Sequence, residues 1–290
     1  MMRFEYYAPT TLAETAAILA RFDGQAKILA GGTDLLVEIK ENIRRPAGVV
    51  NIKKIPGLNG LSYNDTSGLT IGALTTVRAV ETSPLVQQRY AGLAQAAREL
   101  GSIQVRNRAT VAGNICRASP SADTPPPLIA DDASVTIFNP AGERTVPLTQ
   151  FFTGPGQTVL APNEILLAIT APPPPPHTGK AYLKHGRRRA MELATVGVAV
   201  TLTLDGDVCR QIRLVLGAVA PTPIRATEAE ALLNGAPLDD ARIEQAARAA
   251  MAQARPISDV RASADYRREM VGVLTRRAIR QALAQARDSI

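Results

Sequence analysis

The chain has 290 residues, of which 46% are hydrophobic and 20% are charged, and its formal net charge is +7. This length and composition predict two or three packed domains and exclude a disordered chain. No apolar run approaches the roughly 18 residues of a membrane helix, so we expect no integral membrane segment. Arg3 and Glu5 precede any apolar run at the N-terminus, which is unlike a signal peptide, so we expect a cytoplasmic protein.

The basic charge leaves nucleic acid, an anionic cofactor and an acidic protein open as partners. Aromatic residues make up only 4% of the chain and tryptophan is absent, so the stacking faces that single-strand binders use are scarce and we expect no nucleic-acid partner. Two cysteines, Cys116 and Cys209, are too few for a disulfide framework or for the ligands of an iron–sulfur cluster.

The first fifty residues predict a small α/β unit. Its predicted elements are a strand at Phe4–Tyr7, a helix at Leu12–Phe22, a strand at Ala26–Leu29, a helix at Leu35–Glu41 and a strand at Gly48–Ile52. Thr10 or Thr11 can cap the first helix, and Glu14 stands at capping-box distance from Thr11.

The middle of the chain predicts a second unit, which ends in five consecutive prolines. Its predicted elements are strands at Leu58–Tyr63 and Gly68–Gly72, helices at Thr76–Thr82 and Leu85–Leu100, a loop at Thr110–Pro127, strands at Ala133–Phe138 and Glu143–Pro147, and an apolar strand within Val159–Ile169. Pro172–Pro176 is a stiff spacer between folded units or, alternatively, a ligand for a proline-binding domain.

The last part of the chain predicts an antiparallel sheet followed by helices. Its predicted elements are strands at Thr195–Leu204 and Val208–Ala218, joined by a hairpin at Asp205–Asp207, and helices at Arg225–Leu233, Asp240–Ala254 and Ser263–Arg287. The predicted fold class is therefore α+β, with units at residues 1–55, 56–176 and 177–290.

Two glycine-containing turns carry the strongest chemical signals. The first consists of Ile28, Leu29, Ala30, Gly31, Gly32, Thr33, Asp34 and Leu35, between a predicted strand and a predicted helix. Paired glycines let backbone N–H groups approach an anion, and a helix N-terminus adds positive potential. An ordinary Gly-Gly turn, with Thr33 or Asp34 as the helix cap, accounts for the same sequence equally well.

The second turn begins at Thr110 and runs to Asp123. Its small, hydroxyl and amide residues can surround a phosphate, while Asp123 can accept hydrogen bonds from a sugar or a base; an irregular crossover loop is the alternative. No GxGxxG, GxxxxGK[ST] or GxSxG motif occurs. Arg187–Arg189 is either an anion site or a solvated face that an acidic partner can contact.

Taken together, these segments resemble a known family. The strings AGGTDLL, TVAGNICRASPSADTPPPLIA, LAPNEILL, AYLKHGRRRAMELATVGVAV and SDVRASADYRREMVGVLTRRAIRQAL occur in this order. They are similar to the flavin subunit of molybdenum-containing hydroxylases, a family that includes the medium subunit of carbon monoxide dehydrogenase and the FAD domain of xanthine dehydrogenase.

The resemblance implies a two-subdomain FAD-binding fold of the vanillyl-alcohol oxidase type, followed by an α+β C-terminal domain. It implies that residues 28–35 and 110–114 hold the FAD diphosphate and that Asp123 contacts the cofactor. The other implied FAD-binding residues are Leu100, Gly101, Thr110, Ala112, Gly113, Asn114, Leu166 and Lys184. The family's T-I-G-G-N motif departs here at Ala112, where one methyl is tolerable only at negative φ.

The resemblance also implies partners. A large subunit would hold the molybdenum cofactor and a small subunit two [2Fe–2S] clusters, in a dimer of heterotrimers. FAD on this chain would pass electrons to an external acceptor, and the substrate class (carbon monoxide, aldehyde, xanthine or N-heterocycle) stays open. Two alternatives are a stand-alone FAD oxidase or dehydrogenase of the same fold and a flavin-free assembly module, although His177 and His185 are poorly placed for a covalent flavin link.

Overall fold

The structure is a computed structural model that describes residues 3–288. It begins with a three-stranded parallel sheet in the order β1-β3-β2. The elements are β1 (Glu5–Tyr7), α1 (Leu12–Arg21), β2 (Ala26–Leu29), α2 (Leu35–Lys40), β3 (Gly48–Asn51) and a 3₁₀ turn (Ile52–Lys54). Thr11 caps α1 by accepting from the Glu14 amide, but the Glu14 carboxylate accepts from the Thr10 amide, one residue earlier than the predicted capping box requires.

A five-stranded antiparallel sheet in the order β4-β5-β10-β6-β7 forms the middle of the molecule. Its strands are β4 (Leu61–Asn64), β5 (Gly68–Gly72), β6 (Ser134–Asn139), β7 (Gly142–Pro147) and β10 (Ile165–Ala171), with a small separate pair β8 (Phe152–Gly154) and β9 (Gln157–Thr158). The associated helices are α3 (Val77–Thr82), α4 (Pro84–Arg89), α5 (Ala91–Glu99), α6 (Ile103–Arg106), α7 (Val111–Arg117), α8 (Pro125–Ala130) and a 3₁₀ turn (Leu148–Gln150).

Two predictions for this part were wrong. The single helix predicted at Leu85–Leu100 breaks at Tyr90, where φ is −133°. The Tyr90 side chain is fully buried and its hydroxyl contacts the carbonyls of Ala171 and Pro172. Tertiary packing of this ring therefore overrides the local helix pattern.

The loop predicted at Thr110–Pro127 instead contains the helices α7 and α8. Thr110 caps α7, because its hydroxyl accepts from the Gly113 amide, and Ala118 ends the helix in the left-handed region at φ +49°. Pro125 starts α8 in the first turn, where its missing N–H costs nothing.

A second antiparallel sheet in the order β11-β12-β13-β14 follows the prolines, and β15 also pairs with β13. The elements are β11 (Thr178–His185), β12 (Val196–Asp205), β13 (Val208–Gly217), β14 (Ile224–Arg225), α9 (Thr227–Leu233), β15 (Ala236–Pro237), α10 (Asp240–Gln253) and α11 (Ala264–Asp288). The sequence did not predict β11. Its Gly179 allows α11 to pack closely, since a Cβ there would lie 1.8 Å from the Ala282 carbonyl oxygen.

The two antiparallel sheets pack against each other through shared buried side chains. Tyr182 of β11, Ala199 of β12 and Val215 of β13 belong to the same buried cluster as the middle sheet. A second cluster fills the space between the last sheet and α9, α10 and α11. The predicted α+β class with an antiparallel C-terminal sheet is confirmed. Within residues 3–288, the helices include none that is both long and apolar enough to cross a membrane.

Candidate functional site

The first turn joins the end of β2 to the start of α2. Gly32 adopts φ +80°, a conformation that an L side chain rarely takes. Within residues 3–288, the five backbone amides from Gly31 to Leu35 donate to no protein acceptor. A run of unpaired amides before a helix is suited to binding an anion.

The second turn is the capped start of α7. The Thr110 hydroxyl accepts from the Gly113 amide at 3.0 Å, and a Cβ on Gly113 would lie 2.8 Å from that same hydroxyl oxygen. Ala112 lies inside the helix and is absent from the positive-φ residues of the described chain. The departure from the family motif at Ala112 is therefore accommodated without backbone strain.

The first turn touches the segment that leads into the second. A Cβ on Gly31 would lie 2.1 Å from the Arg108 carbonyl oxygen, so only glycine permits this approach. The Val77 amide donates to the Ala109 carbonyl at 2.8 Å and fixes the segment that leads into Thr110. These backbone contacts therefore hold the two turns close together.

A cavity of about 220 Å³ opens at this junction, and its walls include Ala30, Gly31 and Thr110. Lys53 and Arg108 also line it. Burial lowers the pKa of Lys53, and the nearby Arg108 guanidinium lowers it further. Neither cation forms an ion pair with a carboxylate in the described part of the chain, so both are available to an anionic ligand.

A second group of predicted residues surrounds Asp123. One carboxylate oxygen accepts from the Tyr182 hydroxyl at 2.8 Å, and the other pairs with Lys184 Nζ at 3.0 Å. Lys184 also donates to the Glu99 carbonyl at 3.0 Å. Burial raises the pKa of Asp123, while Lys184 and Tyr182 favour its ionised form. The burial also raises the pKa of Tyr182 well above its usual value, so this hydroxyl stays a donor.

Leu100 and Gly101 follow Glu99 directly and therefore lie beside Lys184. The Leu100 carbonyl accepts from Arg106, and Gly101 adopts φ +54°. A cavity of about 500 Å³ adjoins this point, lined by Glu99, Lys184, His185, the segment from Gly186 to Ala190 and Glu192. Arg187 and Arg188 of that segment share one carboxylate, Glu192.

Asn114 connects the two groups of residues. Its side-chain oxygen accepts from the Thr124 hydroxyl at 2.7 Å, next to Asp123. Apart from Leu166, the predicted residues thus form a continuous belt, which runs from the first turn along α7 to Asp123 and to Lys184 of β11. Leu166 is a buried residue of β10, opposite Ile137, and belongs to neither group of loop residues.

Two family models cover most of the chain. Residues 2–174 match the FAD binding domain in molybdopterin dehydrogenase, and residues 181–282 match the CO dehydrogenase flavoprotein C-terminal domain. The chain belongs to the family of FAD-binding subunits of molybdopterin dehydrogenases. The resemblance drawn from the sequence is therefore confirmed, as is the FAD-binding fold with its α+β C-terminal domain.

Individual relatives match over nearly the whole chain. The carbon monoxide dehydrogenase medium chain of Hydrogenophaga pseudoflava is 38% identical over 98% of each chain, and its solved structure superposes with a TM-score of 0.94. The xanthine dehydrogenase FAD-binding subunit of Escherichia coli O157:H7 is 36% identical, covering 97% of this chain and 96% of that protein. Quinoline 2-oxidoreductase of Pseudomonas putida 86 is 29% identical over 98% of each chain, with a TM-score of 0.91.

Three contributors to the site escaped the sequence analysis: Lys53, Arg108 and Tyr182. Tyr182 could have been found, because residues two apart in a strand share a face and Tyr182 stands two before Lys184. That argument needs β11, which the sequence pattern did not predict. Lys53 and Arg108 carry no local signal, since only the tertiary fold brings them to one cavity.

Proposed function

We propose that this chain binds FAD along the belt and acts as the electron-transfer subunit of a molybdenum hydroxylase. The observation that carries the proposal is the close contact of Gly31, in the first turn, with the Arg108 carbonyl, two residues before the second turn. Beside it lie five amides without a protein acceptor and two cations without a carboxylate partner, within residues 3–288. That donor set fits a diphosphate, which offers several acceptor oxygens and negative charge. A bound FAD would supply redox chemistry that can exchange one or two electrons.

The chain's own residues would bind and orient the cofactor. Residues 28–35 and 110–114 would hold the diphosphate. Its oxygens would accept from the free amides of Gly31–Leu35, which include Gly32, Thr33 and Asp34, and from the amide of Ala112, whereas the amides of Val111, Gly113 and Asn114 already donate within the protein. Ala30 would line the site, and the Asp123 carboxylate would accept from a hydroxyl of the ligand. Ile28, Leu29, Leu35, Leu100, Gly101 and Leu166 would supply further contacts. Lys184 would place positive charge near the flavin and favour its reduced, anionic form.

The relatives are subunits of multi-subunit dehydrogenases, which implies large and small partner subunits. We infer that the large partner holds the molybdenum cofactor, that the small partner holds two [2Fe–2S] clusters, and that two heterotrimers associate. This chain would consist of three units, in line with its three main sheets: residues 1–55, 56–176 and 177–290. Two free thiols, one buried and one half-buried, agree with a cytoplasmic location.

Co-expression with the genes for the two partner subunits tests the proposal. A complex purified through a tag on this chain should contain three different chains, FAD in amounts equal to this chain, and both iron and molybdenum. A chain that purifies alone, binds FAD and oxidises a substrate would favour the stand-alone oxidase instead. A complex without flavin, even after incubation with FAD, would contradict the proposal.

A further inference from the structure

An ion pair links the helices that follow the two turns. Glu38 of α2 pairs with Arg117 at the end of α7, with 2.9 Å between Oε1 and Nη2. The same carboxylate pairs with Arg44, with 2.8 Å between Oε2 and Nε. The Glu38 side chain is only 13% exposed, and Arg117 and Arg44 are each 37% exposed.

The two pairs differ in what they connect. Arg44 lies in the segment directly after α2, so its pair with Glu38 is local. Arg117 reaches from the middle of the chain to the first unit, so its pair joins a helix beside the parallel sheet to a helix beside the five-stranded sheet. Arg117 also lies close enough to Asp34, in the first turn, to oppose the rise in pKa that burial gives this carboxyl.

Each helix starts at one of the two turns. The unpaired amides of Gly31–Leu35 lead into α2, and Thr110 caps the start of α7. A link between the helix bodies therefore limits how far the two sets of amides can move apart. The direct backbone contact at Gly31 limits their approach from the other side, since nothing larger than glycine fits against Arg108.

We propose that Arg117 is a positioning residue that, through Glu38, sets the spacing between the two diphosphate-binding turns. The inference rests on the proposed function, because it assumes that one ligand spans both turns. A ligand that needs both turns binds with an affinity that depends on their separation, whereas the local pair of Arg44 leaves that separation unchanged.

The test compares Arg117→Ala with Arg44→Ala in the assembled complex. FAD is stripped from each complex and titrated back, and the dissociation constant is measured from the change in flavin fluorescence. Arg117→Ala should weaken FAD binding roughly tenfold, within the range of residues that couple to a site without touching the ligand, and Arg44→Ala by less than about twofold. Thermal melting of both complexes reports any general loss of stability.

Glu38→Ala separates a link between helices from simple charge attraction. If the affinity for FAD depends on overall charge, removing a carboxylate near the anion site should strengthen binding. If the affinity depends on the link between the helices, the same substitution should weaken binding. Arg117→Lys, which keeps a charge that can pair with Glu38, should restore most of the affinity. The phosphorus NMR signals of bound FAD should shift in Arg117→Ala and return towards the wild-type positions in Arg117→Lys.

Each result has one interpretation. If the wild-type complex binds no FAD, the proposed function fails and this inference falls with it. If the wild type binds FAD and the two arginine variants bind it equally well, the positioning role is wrong while the proposed function stands. Tighter binding by Glu38→Ala would also overturn the positioning role.

Discussion

Single residues decide whether the first turn can present its amides. Gly32 sits at φ +80°, where a β-branched side chain is strained, and a Cβ there would lie 2.9 Å from Leu29 Cδ1. The chain offers a matched position, because Gly57 has the same φ of +80° but a Cβ there would meet nothing within 4 Å. Substitutions at Gly32 and Gly57 therefore distinguish the effect of backbone strain alone from the effect of disrupting the binding turn.

We predict that Gly32→Val yields a complex with less than about a tenth of the wild-type flavin, since displaced amides can no longer surround a diphosphate. Gly57→Val should keep its flavin, although both variants lose about 1–2 kcal/mol of stability through the strained backbone. Visible absorption and thermal melting of the two complexes check this prediction. Equal flavin content in the two variants would count against the first turn as a binding element.

The ion pair of Lys184 with Asp123 also has a matched partner in the same strand. Lys180 pairs with Asp131 at 2.7 Å, and its side chain is as buried as that of Lys184, at 5% exposure each. Only Lys184 touches the belt, since Lys180 instead lies over the Tyr90 ring.

Lys184→Ala should lower the midpoint potential of bound flavin, because a positive charge that favours the reduced anion is lost. Lys180→Ala should leave that potential unchanged. Both variants should lose about 3 kcal/mol or more of unfolding free energy, as expected when one member of a buried pair is removed. A redox titration of both complexes checks the difference, and an unaltered potential in Lys184→Ala would remove the proposed electrostatic role.

At the scale of elements, the sequence predicted most strands and the long helices correctly. The strand Ala26–Leu29 and the start of α2 at Leu35 have the predicted positions, because a short apolar segment that ends at a glycine turn gives a strong local signal. Strand β11 escaped prediction because Gly179, Lys180 and Lys184 break the apolar pattern, and tertiary contacts explain all three. Glycine and proline likewise concealed α7 and α8.

The segment between α10 and α11 is held by Asp259. This carboxylate accepts from the amides of Arg261 and Ala262 and pairs with Arg267 at 2.7 Å. The Arg261 amide and the Arg267 guanidinium lower the pKa of Asp259 from 3.8 to about 2. Folding lowers the pKa of this carboxyl, so the ionised form stabilises the folded state. The stabilisation is complete when the pH is above the pKa of the unfolded chain, and it is lost as the pH falls towards the pKa of the folded chain.

Asp259→Asn should therefore be less stable than the wild type at pH 7, by about 1 kcal/mol after allowance for solvent screening. The difference should shrink as the pH falls from 3.8 to about 2, since the wild-type carboxylate is protonated over that interval. Chemical denaturation of both proteins across this range measures the effect. A difference that stays constant with pH would exclude the carboxylate charge as its source.

At the scale of the whole molecule, the candidate site depends on contacts between distant parts of the chain. Glu38 meets Arg117, Gly31 meets Arg108, and Asp123 meets Lys184. The residue pattern predicted the first turn and singled out the segment from Thr110, although as a loop rather than as the start of α7, and the family resemblance added Lys184 and the contact of Asp123 with the cofactor. Neither predicted which residues pair, because such pairing follows from how the sheets pack rather than from local sequence.

The central claim is that one FAD molecule contacts both turns at once. Hydrogen–deuterium exchange of the complex, with and without FAD, tests it directly, because free amides exchange quickly until a ligand accepts from them. We predict slower exchange on FAD addition in peptides covering residues 30–35 and 110–114, in the second peptide at the free amide of Ala112, and no change in the hairpin at 205–208. Binding of FAD that protects only one of the two turns, or neither, would contradict the account.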